Sequence, residues 1–358
     1  MNKKILISSL LLNIIGLIMI YSSSSVWAKY KFNDSFRYLK YQLLFTILGL
    51  ILIKIISKIN INFIKKKSNL LLFISLILLI LVLIPHIGKV RNGSRSWFGI
   101  GSFGIQPSEF MKISIIIFTA KYLENNNKEI KDIKKGVFPI LLLNLFIFGL
   151  IMLEPDLGTG TIIMLTTIAM LFISGVKLSF FTVIALLGIF GITLLIIIAP
   201  YRLNRIISFI DPWKDPLKTG FQIIQSLYAI GPGSLFGLGL GNSRQKHFYL
   251  PEPQTDFIFS IICEELGFIG SLLIIFLFSI LTYEGFKISR KSNNLFQKYL
   301  SFGLTFSLAL QSSLNLMVVV GLIPVTGVTL PFLSYGGSSL LISMISIGLL
   351  LNISKNIR

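Results

Sequence analysis

Asp256 closes the stretch Pro251-Glu-Pro-Gln-Thr-Asp256 and stands immediately before an apolar run that begins Phe257-Ile-Phe259. A carboxylate at the mouth of such a run is desolvated, which raises its affinity for a proton and suits it to take one from a hydroxyl. A helix-start aspartate can equally be only a cap. Glu109 and Lys112 lie three residues apart, hence on one helical face, where they either neutralise each other or line a polar cavity together. Glu154 and Asp156 share the short connection Glu154-Pro-Asp-Leu-Gly-Thr-Gly160, in which Asp156 either caps the next helix or points into the same cavity. Arg202, Arg205, Arg244 and Lys246 fall in one long segment. Guanidinium forks and ammonium groups there suit diphosphate oxygens, or else lipid headgroups. Glu264 and Glu265 sit further into the apolar run and require a cationic partner such as Lys112.

Other chemistries find less support. Two histidines far apart, His86 and His247, and the single Cys263 supply neither a Ser-His-Asp triad nor a cysteine or histidine metal site. No residue cluster forms a dedicated metal site. The run Gly99-Ile-Gly-Ser-Phe-Gly104 matches a dinucleotide fingerprint in letters only, because it follows no strand and precedes an apolar helix. A formal charge of +19 invites a nucleic-acid reading. The lysines, however, cluster in short blocks between apolar runs, such as Lys65-Lys66-Lys67, and no basic stripe interleaved with aromatics is present, so no nucleic-acid partner is expected.

The elements that must hold these residues are membrane helices. The 358 residues are 54% hydrophobic and 13% charged, against about 25% charged in soluble domains. A core of this size cannot hide that apolar surface from water, so the solvent must be lipid. A bilayer core of ~30 Å needs about 20 apolar residues per helix. Ten runs qualify, near 5–24, 41–58, 69–85, 108–123, 137–153, 159–175, 179–199, 257–283, 299–320 and 337–354. The fourth is interrupted by Glu109 and Lys112. The first resembles a cleavable signal, but its apolar stretch exceeds the ~7–15 residues of such a region and reads as an uncleaved helix. The expected fold is an all-α polytopic membrane protein of about ten spans, one domain over 1–358, with a long outer loop at 200–256.

With both termini cytoplasmic, 19 of the 33 lysines and arginines fall in inner segments, 13 in outer ones and Lys112 within a helix, which favours that orientation. Ten of the fourteen acids, Asp256 among them, then lie at outer helix ends, in outer loops or inside spans, placing the chemistry on the outer side. The piece 220–231 is too short to span and reads as an amphipathic or re-entrant helix. Residues 321–339 are broken by prolines and glycines at membrane depth, which is tolerated only where backbone is buried in protein or lines a cavity.

Together these segments resemble the FtsW/RodA (SEDS) family. The matching stretches are Gln106-Pro-Ser-Glu109 with Lys112, Glu154-Pro-Asp-Leu-Gly-Thr159, Gly237-Leu-Gly-Leu-Gly241, Pro251-Glu with Thr255-Asp-Phe-Ile-Phe259, Glu264-Glu-Leu-Gly267, and Leu330-Pro-Phe-Leu-Ser-Tyr-Gly-Gly-Ser338. They occur in family order along the chain, and their combination is specific where no single one is. The run Gly239-Leu-Gly-Asn-Ser-Arg-Gln-Lys246 and Gly327-Val-Thr-Leu-Pro331 look more like the division branch, FtsW or its sporulation relative, than the elongation branch. Gly231-Pro-Gly-Ser234 departs from a more glycine-rich family turn.

The resemblance implies ten helices, an outward-facing cavity and polymerisation of lipid II, the undecaprenyl-diphosphate-linked disaccharide pentapeptide, into β-1,4 glycan strands. Asp256 matches the aspartate on which family activity depends, which implies a general base on the acceptor 4-hydroxyl. Attack on the donor MurNAc C1 then inverts the linkage. The side chains expected to face substrate are Glu109, Lys112, Asp156, Arg202, Arg205, Arg244, Lys246, Glu264 and Ser334, with room left for a divalent cation (Mg or Mn). A class B penicillin-binding transpeptidase and the division machinery are the implied partners, and the bacterial cytoplasmic membrane, at the septum, the implied location. Rival readings are an elongation polymerase of the RodA type, a lipid II flippase, and a scaffold without chemistry. A flippase needs function on both faces, whereas the charge layout is concentrated outside. A scaffold leaves the buried acids unexplained.

Overall fold

The computed structural model describes residues 2–91, 94–99, 104–130, 132–198, 203, 207–355 and 357. The chain folds as α1 (Lys3–Phe32), α2 (Arg37–Ile56), α3 (Ile61–Leu83), a hairpin of β1 (Lys89–Arg91) and β2 (Ser94–Trp97), α4 (Pro107–Asn125), α5 (Phe138–Leu153), α6 (Leu157–Ile173), α7 (Leu178–Ile198), α8 (Phe221–Ile230), α9 (Ile258–Lys291), α10 (Leu295–Val319) and α11 (Gly337–Lys355). Sequence sets many of these boundaries. Asn2 accepts from the Lys4 N–H at 3.1 Å, Asn294 from that of Gln297 at 3.1 Å, and Asn60 from that of Asn62 at 2.9 Å, each supplying a partner for an orphan donor at a helix start. Pro107 takes the first turn of α4, where its missing N–H costs nothing.

Among the described residues, seven helices are long and apolar enough to cross a membrane: α1, α2, α3, α5 with its leading turn, α9, α10 and α11. Two shorter apolar helices, Leu157–Ile173 and Leu178–Gly191, accompany them, and α4 carries the Glu109–Lys112 pair. Large apolar side chains such as Ile47, Phe73, Leu142 and Phe276 are exposed around the bundle, as lipid would require. The β1–β2 hairpin between α3 and α4 is an addition to the expected all-α fold. Phe98 and Ile105 bridge beyond it and carry the chain into α4.

Packing fixes which ends lie together. Lys4 of α1 meets Glu284 of α9 at 3.5 Å while Ser22 meets Glu265, so the two helices run antiparallel. The Asn2 N–H donates to Ser354 Oγ at 3.1 Å, which places both chain ends at one end of the bundle. Asp256, the start of α4 and the start of α11 lie at the other, hereafter the site end. Gly16 lets α1 approach the 332–333 backbone, because a Cβ there would come within 2.3 Å of the Phe332 carbonyl oxygen.

Candidate active site

Asp256 is half-buried in a turn directly before α9. The N-cap of α9 is Phe257, so Asp256 sits one residue outside the capping position. The Thr255 hydroxyl donates to Asp256 Oδ1 at 2.8 Å, and Phe257 beneath it is fully buried. The Asp256 backbone carbonyl accepts from Asn315 Nδ2 of α10 at 2.7 Å. A carboxylate on a turn tied down at its own carbonyl is held in place and kept partly dry, as a general base requires.

The same Asn315 amide donates to the Val328 carbonyl at 2.7 Å. One helical turn away, Gln311 Nε2 donates to the Thr329 carbonyl at 3.0 Å. From α2, Gln42 donates to the Ser334 carbonyl at 3.2 Å and accepts from the Gly336 N–H at 3.2 Å. Residues 328–336 of the non-helical segment between α10 and α11 are thus buried or half-buried, with several backbone groups satisfied by side-chain amides, which is what permits irregular chain at membrane depth. Its Tyr335 N–H donates to the Gln254 carbonyl at 2.8 Å, joining it to the segment that bears Asp256.

Gln311 also accepts from Lys112 Nζ at 2.6 Å, and Lys112 pairs with Glu109 at 2.8 Å. Residues 311 and 315 are four apart on one face of α10, and their amides hold the adjacent carbonyls of Thr329 and Val328, so this face of α10 touches both the Asp256 backbone and the Glu109–Lys112 pair. Asp156 approaches that pair closely enough to feel both charges. It caps α6 through the Thr159 N–H at 3.0 Å and accepts from Gln106 Nε2 at 2.9 Å. Burial raises its proton affinity above the ordinary carboxylate range against the opposing pull of Thr159. Its neighbour Glu154 is fully buried and is pushed up to about 9, by burial first and by Asp156 second.

A second group holds the glycine-rich loop. Glu264 accepts from Ser243 Oγ at 2.5 Å and from the backbone N–H of Arg244 at 2.8 Å. Glu265 pairs with Lys246 Nζ at 3.0 Å and accepts from Ser22 Oγ at 2.7 Å and the Ser243 N–H at 3.1 Å. The loop docks where α9 is broken at Gly267, whose φ of 65° is the left-handed region that favours glycine. There the Leu238 N–H donates to the Glu264 carbonyl at 2.9 Å and the Phe268 N–H to the Ser234 carbonyl at 2.9 Å. α8 is the expected short helix, fixed by a bond from Ser226 Oγ to the Val319 carbonyl at 2.8 Å.

Several of the expected side chains have partners within the protein. Lys246 is buried and bonded to Glu265, Ser22 and the Gly241 carbonyl. Glu264 binds loop backbone and Ser243. Ser334 is buried, with its hydroxyl accepting the Leu330 N–H at 2.8 Å. The partner of Glu265 is Lys246, not Lys112. Arg244 remains exposed on the loop that Glu264 holds. Arg202 and Arg205 lie outside the described residues. Asp256, Glu109, Lys112 and Asp156 do gather around one polar network. Asn315, Gln311, Gln42 and Gln254 belong to it and were missed, although uncharged amides inside apolar spans are themselves a signal. Among the described residues, no three His, Cys, Asp or Glu side chains group as a metal site.

A model of the FtsW/RodA/SpoVE family of cell cycle proteins matches residues 2–358. The chain is 52% identical to stage V sporulation protein E of Bacillus subtilis, over 98% of this chain and 96% of that protein. It is 42% identical to the probable peptidoglycan glycosyltransferase FtsW of Coxiella burnetii, over 98% and 95%. Among solved structures it is similar to a chain of a peptidoglycan synthase complex that coordinates polymerization and crosslinking, with a TM-score of 0.80 and 28% identity over 98% of this chain and 97% of that one. The rod shape determining protein RodA of Thermus thermophilus gives a TM-score of 0.72 and 26% identity, covering 98% and 96%.

Proposed function

The chain belongs to the FtsW/RodA/SpoVE family and is an integral inner-membrane peptidoglycan glycosyltransferase, and from that premise we propose that Asp256 is its general base. The carboxylate takes the proton of the acceptor lipid II 4-hydroxyl as that oxygen attacks C1 of the donor MurNAc. The bond from C1 to the diphosphate breaks with inversion, and undecaprenyl diphosphate leaves with the electron pair. Diphosphate is a good leaving group, so the step needs no second carboxylic acid of the glycosidase kind. It needs positive charge, for which Arg244, Arg202 and Arg205 are the proposed sources, with a divalent cation (Mg or Mn) carried in on the diphosphate oxygens. Glu109, Lys112 and Asp156 support the floor of the site from beneath.

The observation that carries this reading is the placement of Asp256: half-buried, outside the helix cap, and pinned through its own carbonyl by Asn315. In the proposed topology the chain is one domain of ten spans, α4, α6 and α7 crossing along with the seven longer helices. Its site end faces outward and both termini face the cytoplasm. A transpeptidase of the class B penicillin-binding type is the proposed partner, since the similar solved chain comes from a complex that couples polymerization to crosslinking. We assign the work to the division septum. The higher identity to the sporulation protein, 52% against 42% for the FtsW of Coxiella burnetii, favours a second reading in which the same chemistry serves sporulation. Complementation of strains lacking one protein or the other separates the two.

The deciding assay supplies purified protein with lipid II, with and without the transpeptidase and with and without a chelator. Asp256→Asn is expected to lower polymer formation by about 100-fold or more, the range over which general bases act. Polymer made equally well by that variant sinks the assignment.

A further inference from the structure

Next to the Asp256 segment the site end carries a group of aromatic side chains that the proposed reaction does not use. Phe248 packs edge-on against Tyr30 with centroids 5.3 Å apart and against Trp27 at 5.7 Å. Tyr38 meets Tyr335 at 4.9 Å, nearly perpendicular to it. Lys31 covers one face of Trp27 at 5.4 Å, whereas Tyr30 is 78% exposed and Phe248 50%. Phe248 is also held at a φ of 68°, a conformation that a bulky side chain adopts only when its surroundings impose it.

Trp and Tyr collect at membrane interfaces as a matter of course, and a plain interfacial belt would account for rings at the end of α1. One contact sets this group apart. The Tyr335 backbone N–H donates to the Gln254 carbonyl, two residues from Asp256. Phe248 at one end and that bond near the other therefore join the group to the 248–256 segment that presents the carboxylate. A belt has no reason to be continuous with that segment.

We propose that Tyr30 and Phe248, backed by Trp27, Tyr38 and Tyr335, form a saccharide-binding face that holds the glycan strand beside Asp256. A pyranose ring presents flat patches of C–H groups, and these stack on aromatic faces through apolar burial and weak C–H contacts. Rings inclined at 63° and 75° to Phe248 make a corner with two exposed faces, suited to successive sugars of a β-1,4-linked amino-sugar chain. This rests on the reading that the chain joins sugars, and it adds where the strand lies and what holds it between additions.

The test uses the full chain in lipid nanodiscs and a lipid-free, fluorescently labelled tetrasaccharide of alternating GlcNAc and MurNAc, with binding followed by anisotropy. The double variant Tyr30→Ala/Phe248→Ala is expected to bind about tenfold more weakly, a loss of about 1.4 kcal/mol. It is also expected to release shorter glycan from lipid II. Tyr30→Phe/Phe248→Tyr should restore both properties, which a fold defect in the alanine variant would not explain. Asp256→Asn should bind the tetrasaccharide as the parent does. If Asp256→Asn polymerises normally while the alanine variant still loses the sugar, the base assignment fails and the saccharide face stands. Wild-type affinity in the alanine variant overturns the saccharide face, and so does tetrasaccharide binding too weak to detect in a parent that polymerises. Loss of transpeptidase capture with sugar binding intact also overturns it, and assigns the rings to a protein interface.

Discussion

Glu109 and Lys112 lie three residues apart on one helix and meet at 2.8 Å, whereas Lys246 and Glu265 come from a loop and a helix and meet at 3.0 Å. Both pairs are buried, and both save an isolated charge from apolar surroundings. Their consequences for the fold differ. The first pair closes within a single turn of α4, so its geometry constrains little beyond that helix until Gln311 of α10 joins it. The second pair fastens the glycine-rich loop to α9 and, through Ser22, to α1. The local pair thus sets the electrostatics of the site floor, and the distant one sets where the loop bearing Arg244 can be.

Lys246→Met is the sharpest way to break that distinction. It leaves Glu265 facing Ser22 and Ser243 without its cation, and removing one partner of a buried pair costs about 3–5 kcal/mol. Hydrogen exchange should rise through residues 237–246, and thermal stability should fall. Lys112→Met leaves Glu109 in a similar position but is expected to spare exchange in that loop. Adding Glu265→Leu to Lys246→Met should recover part of the lost stability, since the uncompensated charge is then gone. Equal loosening of the loop by both lysine variants would remove the contrast.

A smaller effect is expected at Asn315. Its truncation to alanine removes one donor from the carbonyls of Asp256 and Val328, a loss of about 1–3 kcal/mol. The cost should appear in kcat more than in KM, because the base loses its tether while the phosphate contacts remain. Ser312→Ala, three residues earlier on α10, removes only a bond to the Ala309 carbonyl and serves as the control. A kcat unchanged in Asn315→Ala would show that the turn holds Asp256 unaided.

The contrast between the two pairs also marks what could be read without coordinates. The helical runs and the Glu109–Lys112 pair follow from local spacing; seven of the ten expected spans are long, apolar helices among the described residues, and the pair meets at 2.8 Å. The 321–339 segment was legible as irregular chain that is buried in protein or lines a cavity, the two cases in which such backbone is tolerated at membrane depth. The partner of Lys246 was not legible, because nothing in Gln245-Lys246-His247 marks the lysine as buried. Only the break at Gly267 lets the loop sink beside α9 and bury it. Two adjacent acids in an apolar run were the available sign that a cation must come from elsewhere, but sequence separation hid which one. The amides of Gln311 and Asn315 were passed over for lack of charge, although four-residue spacing on an apolar helix gives them a common face. Both donate to backbone carbonyls, which carry no sequence signature.

The smallest effect should come from Glu154, whose value lies in its pH dependence. Both of its carboxylate oxygens lack a hydrogen-bond partner among the described residues, while its peptide carbonyl accepts from the Ser94 hydroxyl. Burial and the neighbouring Asp156 push its carboxyl from an ordinary 4.5 up to about 9. Below the lower value the folded and unfolded chains both hold the proton. Between the two values only the folded chain does, so folding takes up a proton and stability declines as pH rises through that window. At neutral pH the side chain is therefore already an uncharged acid, which Gln reproduces in size and charge. Glu154→Gln should leave polymerisation at pH 7 within about twofold of the parent, since about 0.4 kcal/mol or less separates the two on this account. In thermal unfolding from pH 5 to 9 the two proteins should nearly coincide at the acid end, and the variant should be the more stable at the alkaline end. Parallel curves across that range would mean that Glu154 is ionised in the folded protein, and that an unseen cation shares its site.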